Sequence, residues 1–199
     1  MKNKILMLIM IIILICLVQG CSHKNLQPYE ALKHLKNMNS YSCSVEINIS
    51  NEKQNQTING SQQYLKTSGW RMDVGNERSY ISKNDNIYVK DLANGISYSL
   101  GNTEGGIYRL SVVEECLNLI YTDEGVKNIN IDRNEYMMFN FQIPYNNKNI
   151  QKGAFYVDVK QGLPFRLCLY DSANKEIVVI KYKNFRLNTK LSEALFQVK

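Results

Sequence analysis

The fold is decided by the stretch YSCSVEINIS, residues 41–50, in which apolar and polar side chains alternate without a break. Successive side chains of a β-strand point to opposite faces, so a period of two describes a strand with one buried and one exposed face. The same period recurs downstream in short segments, which are separated by turns rich in Asn, Gly and Asp. The sequence therefore predicts a long strand that begins a mainly antiparallel sheet.

The segments that alternate in this way number about eleven, and their spacing is that of hairpins. Asn94-Gly95 predicts a two-residue hairpin turn, because both central positions of such a turn need a positive φ. A long antiparallel sheet must curl or close. The predicted fold class is thus mainly β (α+β), a curved antiparallel half-barrel.

Three helices are predicted between or beside the strands, at Pro28–Met38, Val112–Tyr121 and Thr189–Phe196. Ser111 and Glu114 have the spacing of a capping box for the second helix. Asn188 or Thr189 is the expected cap of the third. We expect the helices to cover the concave face of the sheet.

The N-terminus has the pattern of a secretory leader. Lys2 and Lys4 precede an apolar run, residues 5–18, which is shorter than the ~20 residues of a membrane-spanning helix. The segment LVQGC, residues 17–21, resembles the bacterial lipobox, which implies lipid transfer to Cys21 and cleavage before it. We therefore predict a signal peptide at 1–20, a lipidated tether at 21–27 and one domain at 28–199. An ordinary leader or a short uncleaved anchor is the alternative.

Charge and length restrict the function classes. The whole chain carries +6, and without Lys2 and Lys4 it retains 22 basic and 18 acidic side chains, a net charge of +4. The basic residues are scattered through the predicted strands, so no nucleic-acid-binding stripe is indicated. The remaining 179 residues suit a single domain.

Three cysteines remain after the lipidated one: Cys43, Cys116 and Cys168. An exported protein usually pairs its cysteines, but three is an odd number and no CxxC spacing occurs. Each lies among apolar residues, so we predict small buried hydrophobic side chains. One disulfide among the three remains open.

Sequence motifs of catalysis are scarce. The two histidines are His23, in the tether, and His34, on the first predicted helix, and no zinc, P-loop or nucleophile-elbow motif occurs. We predict no catalytic residues, no metal and no cofactor, although a carboxylate pair assembled across strands remains possible. Gly105-Gly106 before a helix is interpreted as a flexible loop, with anion binding as the alternative.

The chain contains 13 tyrosines. Tyr80, Tyr88 and Tyr98 lie on consecutive predicted strands and are candidates for an aromatic binding face for a glycan or a protein. Tyrosine also suits sheet surfaces in general, and this plainer interpretation is favoured.

The C-terminal third resembles a known superfamily. Its pattern is FYVDV (155–159), GLP (162–164), LCLYD (167–171), IKY (180–182) and FRLN (185–188), followed by Leu195-Phe196. These segments look like the closing strands of the LolA/LolB-like superfamily of lipoprotein carriers, whose fold is an unclosed barrel with a helical lid. With the lipobox and an Asn-, Lys- and Ile-rich composition, the chain looks closest to the germination lipoprotein GerS family of spore-forming clostridia.

That resemblance implies a non-enzymatic lipoprotein on the outer face of the cell membrane, at the spore membrane or its cortex side. It also implies a protein partner, an N-acetylmuramoyl-L-alanine amidase of the CwlD type. An open sheet leaves edge strands that recruit another strand, so a homodimer is a further expectation. The alternatives are a carrier or sensor of a lipid or acyl chain in the half-barrel, and a weak glycan-binding or hydrolytic module.

Overall fold

The computed structural model describes residues 26–50, 55–84, 86–101, 106–121, 125–144 and 149–198. Within these residues eleven strands form one antiparallel sheet, which confirms the predicted open, mainly β architecture. The signal peptide, Cys21 and the tether up to residue 25 lie outside the described residues. The strands are β1 Ser40–Ser50, β2 Asn55–Leu65, β3 Gly69–Val74, β4 Arg78–Lys83, β5 Asn86–Asp91, β6 Ile96–Gly101, β7 Lys127–Ile131, β8 Asn134–Gln142, β9 Lys152–Asp158, β10 Pro164–Tyr170 and β11 Glu176–Leu187.

The strand order is β6-β5-β4-β3-β2-β1-β11-β10-β9-β8-β7. Two meanders, one from each half of the chain, are joined where β1 pairs with β11, with Ile47 opposite Ile180. In the described residues, β6 and β7 each pair with a neighbour on one side only. The sheet therefore has two edges and is not closed.

The alternation of β1 places its apolar side chains on one face, as predicted. Tyr41, Val45 and Ile47 are buried, whereas Ser44 is exposed and Glu46 only half-buried. The helices lie on this apolar face: Val113 N donates to Tyr41 Oη at 3.2 Å, and Tyr182 Oη donates to Ser111 O at 2.9 Å. We refer to it as the covered face and to the opposite side as the outer face.

The first helix, α1, spans Pro28–Lys36 and has Pro28 in its first turn, as predicted; it ends two residues early. The predicted helix Val112–Tyr121 is present as α3, Val113–Leu119, which begins one residue later and ends two residues earlier. A further short helix, α2 Gly106–Leu110, precedes it and was not predicted. The predicted capping box is wrong. Ser111 is buried and its Oγ donates back to Tyr108 O at 2.6 Å, which closes α2 and leaves α3 without a side-chain cap.

The C-terminal helix differs from the prediction in length and in place. It is a single 3₁₀ turn, Glu193–Phe196, in which Ala194 N donates to the capping Ser192 Oγ. The two expected cap residues bond instead to the chain around the start of β1. Asn188 Oδ1 accepts from Asn39 N, and Thr189 O accepts from Ser40 Oγ. The turn lies on the outer face of β3 and β4, where Arg71 Nη1 donates to Leu195 O at 3.0 Å. Of the described helices, only α1 to α3 therefore lie on the covered face.

Two tight turns also differ from expectation. β5 and β6 pair from Asp91 opposite Ile96, so their connection has four residues, 92–95, and Asn94-Gly95 is not a two-residue turn. Of the two residues, only Gly95 has a positive φ, +66°. The two-residue turn with two positive φ values lies instead at Asp132-Arg133, between β7 and β8. No helix among the described residues is both long and apolar enough to cross a membrane.

Candidate docking edge

A group of polar side chains ties the helices to the centre of the covered face. Gln62 is fully buried, and its Nε2 donates to Ser111 O at 2.9 Å and to Ser111 Oγ at 3.2 Å. Tyr41 Oη donates to Gln62 Oε1 at 3.3 Å, and Tyr182 Oη also donates to Ser111 O. We call Tyr41, Gln62, Ser111 and Tyr182 the latch.

The latch holds the junction of α2 and α3 in one position. A buried polar group that loses its partner is costly, so such a network favours the single arrangement in which every member is bonded. Burial raises the pKa of both latch tyrosines far above the usual value, which keeps their hydroxyls protonated as donors. Side chains of the latch therefore occupy the space between the sheet and the junction of α2 and α3.

The two edges of the sheet differ in chemistry. Strand β7 carries the exposed residues Lys127, Asn128 and Asn130, of a kind that discourages pairing with another chain. Strand β6, with the sequence ISYSLG, carries neither a charge nor a proline along its six residues. It therefore lacks the side chains by which natural proteins protect a free edge.

Apolar side chains beside β6 extend beyond the helices. Leu92 is 61% exposed, Ile96 54% and Tyr98 42%. Tyr98 is opposite Val89, and Val89 is opposite Tyr80, on which Tyr108 of α2 packs with ring centroids 5.0 Å apart. The covered face is thus buried as far as Val89 of β5, whereas Ile96 and Tyr98 of β6 stay exposed. We call the strand β6 together with Leu92 the β6 edge.

The hairpin that presents the β6 edge is fixed by Asp91. The buried Asp91 carboxylate accepts from the backbone and side-chain nitrogens of Asn94, each at 3.0 Å, and from Arg78 Nε at 3.2 Å. The Asn94 hydrogen bonds, followed by the Arg78 guanidinium, lower the pKa of Asp91 below its ordinary value of 3.8. This carboxylate stabilises the four-residue loop, because its hydrogen bonds to Asn94 take the place of the backbone hydrogen bonds that close a two-residue turn.

We expect acid to loosen the β6 edge before the rest of the sheet. Because the folded pKa of Asp91 is depressed, its contribution to stability is complete above about pH 4 and is lost as the pH falls through the folded pKa. The measurement is an NMR titration of the Asn94 amide, which should move with a midpoint below 3.8. In Asp91→Asn the charge is absent, and this titration should vanish. A midpoint at or above the ordinary value would contradict the assignment.

The three candidate tyrosines do not share one face. Tyr80 is almost fully buried under α2, and Tyr98 is on the same face two strands away. Tyr88 is opposite Ile81 and Ser99, so its side chain lies on the outer face. Of the three, only Tyr98 is exposed on the covered face, where Ile96 of the same strand accompanies it, and Leu92 is exposed in the turn before β6. Neither Leu92 nor Ile96 was predicted from the sequence as a site residue, although a six-residue strand without charge was visible as a signal.

Other candidate groups take structural positions. Cys43, Cys116 and Cys168 are buried and free, and burial raises the pKa of the Cys43 and Cys168 thiols to about 12. Such thiols stay protonated and are poor nucleophiles. His34 is exposed on α1, and Gly106 begins a five-residue helix. Among the residues that the structure describes, no group of three or more His, Cys, Asp or Glu is placed to hold a metal ion.

Comparison with known proteins adds a family and a fold. The family described as "Sporulation protein YdcC-like" matches residues 1–196. No curated protein sequence matches the chain. Among solved structures, an uncharacterized conserved protein from Thermus thermophilus matches with a TM-score of 0.57 at 9% identity, over 85% of this chain and 93% of that one.

Two further solved structures match the chain. A domain from Vibrio parahaemolyticus, described as an outer membrane lipoprotein-sorting protein domain, matches with a TM-score of 0.50 at 9% identity, over 86% of this chain and 95% of that one. This likeness confirms the predicted LolA-like fold. The structure of the CwlD amidase from Clostridioides difficile in complex with the GerS lipoprotein matches at 22% identity and a TM-score of 0.46, over 77% of this chain and 89% of that one.

Proposed function

Because the chain belongs to the sporulation protein YdcC-like family, we propose that it is a non-enzymatic docking lipoprotein of sporulation or germination. In this proposal a lipid on Cys21 holds the domain on the outer face of the membrane, at the cortex side in the spore. The β6 edge then binds a protein partner. The observation that carries the proposal is that this edge is uncharged, pairs with one neighbour only among the described strands, and is flanked by exposed apolar side chains.

The physical basis is the addition of a strand. A free edge offers a row of unpaired N–H and C=O groups, and an extended segment of a partner can satisfy them as the next strand of the sheet. Main-chain bonds supply affinity in such complexes, whereas alternating side chains supply specificity. Ile96 and Tyr98 would then contact the partner on the covered face, and Ser97 and Ser99 on the outer face.

The partner that we propose is a cell-wall amidase of the N-acetylmuramoyl-L-alanine class. This choice follows from the sequence resemblance to the GerS family, and the YdcC-like family is compatible with it because that family is described as a sporulation family. A second copy of the chain is the competing occupant of the β6 edge, since an edge without charge can also pair with itself.

The filled interior supports docking over carriage. A carrier of a lipid or acyl chain needs an apolar hollow beneath its helices, whereas here the latch and the side chains around it occupy that place. The polar strand β2 contributes to this, because Gln62 faces the helices at the centre of the sheet. Carriage of an apolar ligand therefore ranks behind docking.

Co-purification tests the proposal. We expect the mature chain to co-purify with the amidase of the same host as a stoichiometric complex, detectable by light scattering after size exclusion. Amidase activity and metal content should rise when the chain is present. An amidase that is equally active and metal-loaded alone, and that does not co-elute with the chain, would refute the partnership. A homodimer without amidase would assign the β6 edge to self-pairing instead.

A further inference from the structure

The end of the sheet that faces the N-terminal tether can be identified. Leu26, the first described residue, packs against Gly162 in the turn between β9 and β10. A Cβ atom added to Gly162 would lie 2.7 Å from Leu26 Cδ1. All strands are antiparallel, so the same end of the sheet carries the other turns that join β7 to β8, β2 to β3 and β4 to β5. The chain beyond β11 also leaves from this end, because Leu187 pairs with Tyr41 near the start of β1. We call this end the tether rim.

The two ends of the sheet differ in charge. The described turns of the tether rim and the strand ends beside them, residues 66–68, 83–84, 132–133, 158–163 and 186–193, hold six exposed cations, Lys66, Lys83, Arg133, Lys160, Arg186 and Lys190. The acids in these same residues are Asp132, Asp158 and Glu193. The described turns and strand ends at the opposite end, residues 75–78, 91–95, 125–127, 143–144, 149–152 and 171–176, balance Arg78, Lys127, Lys152 and Lys175 against Glu77, Asp91, Asp171 and Glu176. Among the described turns and strand ends, the net positive charge thus lies at the tether rim.

Cys21, the proposed site of lipid attachment, is only a few residues along the chain from Leu26 at this positive end. Five peptide steps separate Cys21 from Leu26, and they reach at most about 17 Å. The field of an anionic membrane falls off over about 10 Å, which is within that reach. Tyr29, 61% exposed, stands at the start of α1 beside the tether, and aromatic rings of this kind favour the membrane interface.

We propose that the tether rim is a membrane-binding surface for anionic lipid headgroups, which holds the domain upright on the bilayer. This inference rests on the lipid anchor of the proposed function. It adds the orientation of the domain on the membrane. The short tether confines the tether rim to the headgroup region, where its cations bind, so the domain does not pivot freely. With the rim down, the opposite end of the sheet stands away from the bilayer by the length of the strands, about 20 Å for β9 and 40 Å for β11. The turn of the β5–β6 hairpin, residues 92–95, then points away from the membrane.

Site-specific quenching tests the orientation on the mature chain extracted from its host. The described cysteines are buried, so a fluorophore reacts with a new surface cysteine, either Gln161→Cys on the tether rim or Ser172→Cys at the opposite end. Vesicles carry a nitroxide headgroup and contain either 30% phosphatidylglycerol, roughly the anionic content of a charged membrane, or phosphatidylcholine alone. We expect strong quenching at position 161 and little at 172 in anionic vesicles, with the contrast reduced by salt. Equal quenching at both positions in anionic vesicles would overturn the proposal.

Charge removal supplies a second, independent result. Lys66→Gln, Lys160→Gln and Lys190→Gln together should abolish the contrast between the two labels. The control triple Lys90→Gln, Lys127→Gln and Lys175→Gln has the same net charge and should retain it. In chains that also carry Cys21→Ser, the rim triple should weaken partition onto anionic vesicles roughly a hundredfold more than the control. Equal effects of the two triples would overturn the proposal.

Flotation with vesicles distinguishes a refutation of the membrane-binding rim from a refutation of the lipid anchor. Binding of the extracted chain to neutral phosphatidylcholine vesicles reports the acyl chains alone, because the cations have no anionic lipid to bind there. If the chain does not float with neutral vesicles, the lipid anchor of the proposed function is refuted. In that case, partition onto anionic vesicles still decides the rim: a loss specific to the rim triple supports it, and no binding overturns it.

Discussion

Replacing Gln62 by alanine is expected to lower the free energy of unfolding by about 3 kcal/mol, which lowers the melting temperature by roughly 10 °C. Gln62 is the member of the latch that joins both neighbours, since it accepts from Tyr41 and donates to Ser111. Its loss leaves a cavity and unbonded polar groups in the centre of the covered face. Each buried group without a partner costs about 1–3 kcal/mol, and the cavity adds to this.

The neighbouring glutamine is a matched control for this prediction. Gln63 points to the outer face, its Nε2 contacts Ser61 Oγ at 3.4 Å, and its Oε1 has no partner among the described residues. Gln63→Ala should therefore change the free energy of unfolding by less than about 1 kcal/mol. Thermal and urea unfolding, followed by circular dichroism, measure both variants. Equal destabilisation of the two would show that the latch does not hold the helices.

Substitution of Tyr98 by lysine is expected to weaken binding of the amidase about 30-fold, or about 2 kcal/mol. Tyr98 is in the middle of the β6 edge on the side that the helices leave open, and aromatic side chains in such positions dominate many protein interfaces. Lysine is also the residue by which natural proteins discourage pairing at a free edge. The substitution should leave the free energy of unfolding nearly unchanged, because Tyr98 is 42% exposed.

Tyr121→Lys provides the matched control for Tyr98→Lys. It makes the same chemical change at a residue that is 83% exposed and follows α3, away from the β5–β6 hairpin. Isothermal titration calorimetry with the purified amidase should give an unchanged dissociation constant for this variant. If Tyr98→Lys binds as tightly as Tyr121→Lys, the partner does not use the β6 edge. If both bind weakly, the interface is centred elsewhere.

The strands could be predicted from the sequence because their determinant is local. Along β1, residues such as Val45 and Glu46 alternate between the covered face and the outer face, and this alternation is visible in the sequence as a period of two. The short helix α2, which precedes the predicted second helix, could not be predicted in the same way. Ser111 has the spacing of a cap to Glu114, but tertiary packing buries it against Gln62 and Met72, where its hydroxyl closes α2 instead.

The candidate site was only partly predictable for a similar reason. Tyr80, Tyr88 and Tyr98 look equivalent along the chain, yet strand register sends Tyr88 to the outer face and α2 covers Tyr80. The solvent exposure of Leu92 and Ile96 depends on where the helices end, and no local sequence pattern predicts this. The four-residue loop before β6 likewise depends on the contact between Asp91 and Arg78, thirteen residues apart.

The sequence by itself determined which residues form strands, how many strands there are, and that the sheet is antiparallel, because side-chain periodicity and turn residues act over a few positions. Only the tertiary structure decided which edge is unprotected, which side chains the helices leave exposed, and which end of the sheet collects the positive charge. These properties arise when residues distant in the chain are brought together, as Leu26 is with Gly162 and Gln62 with Ser111. Docking depends on that second class of property, so the proposed function required the fold.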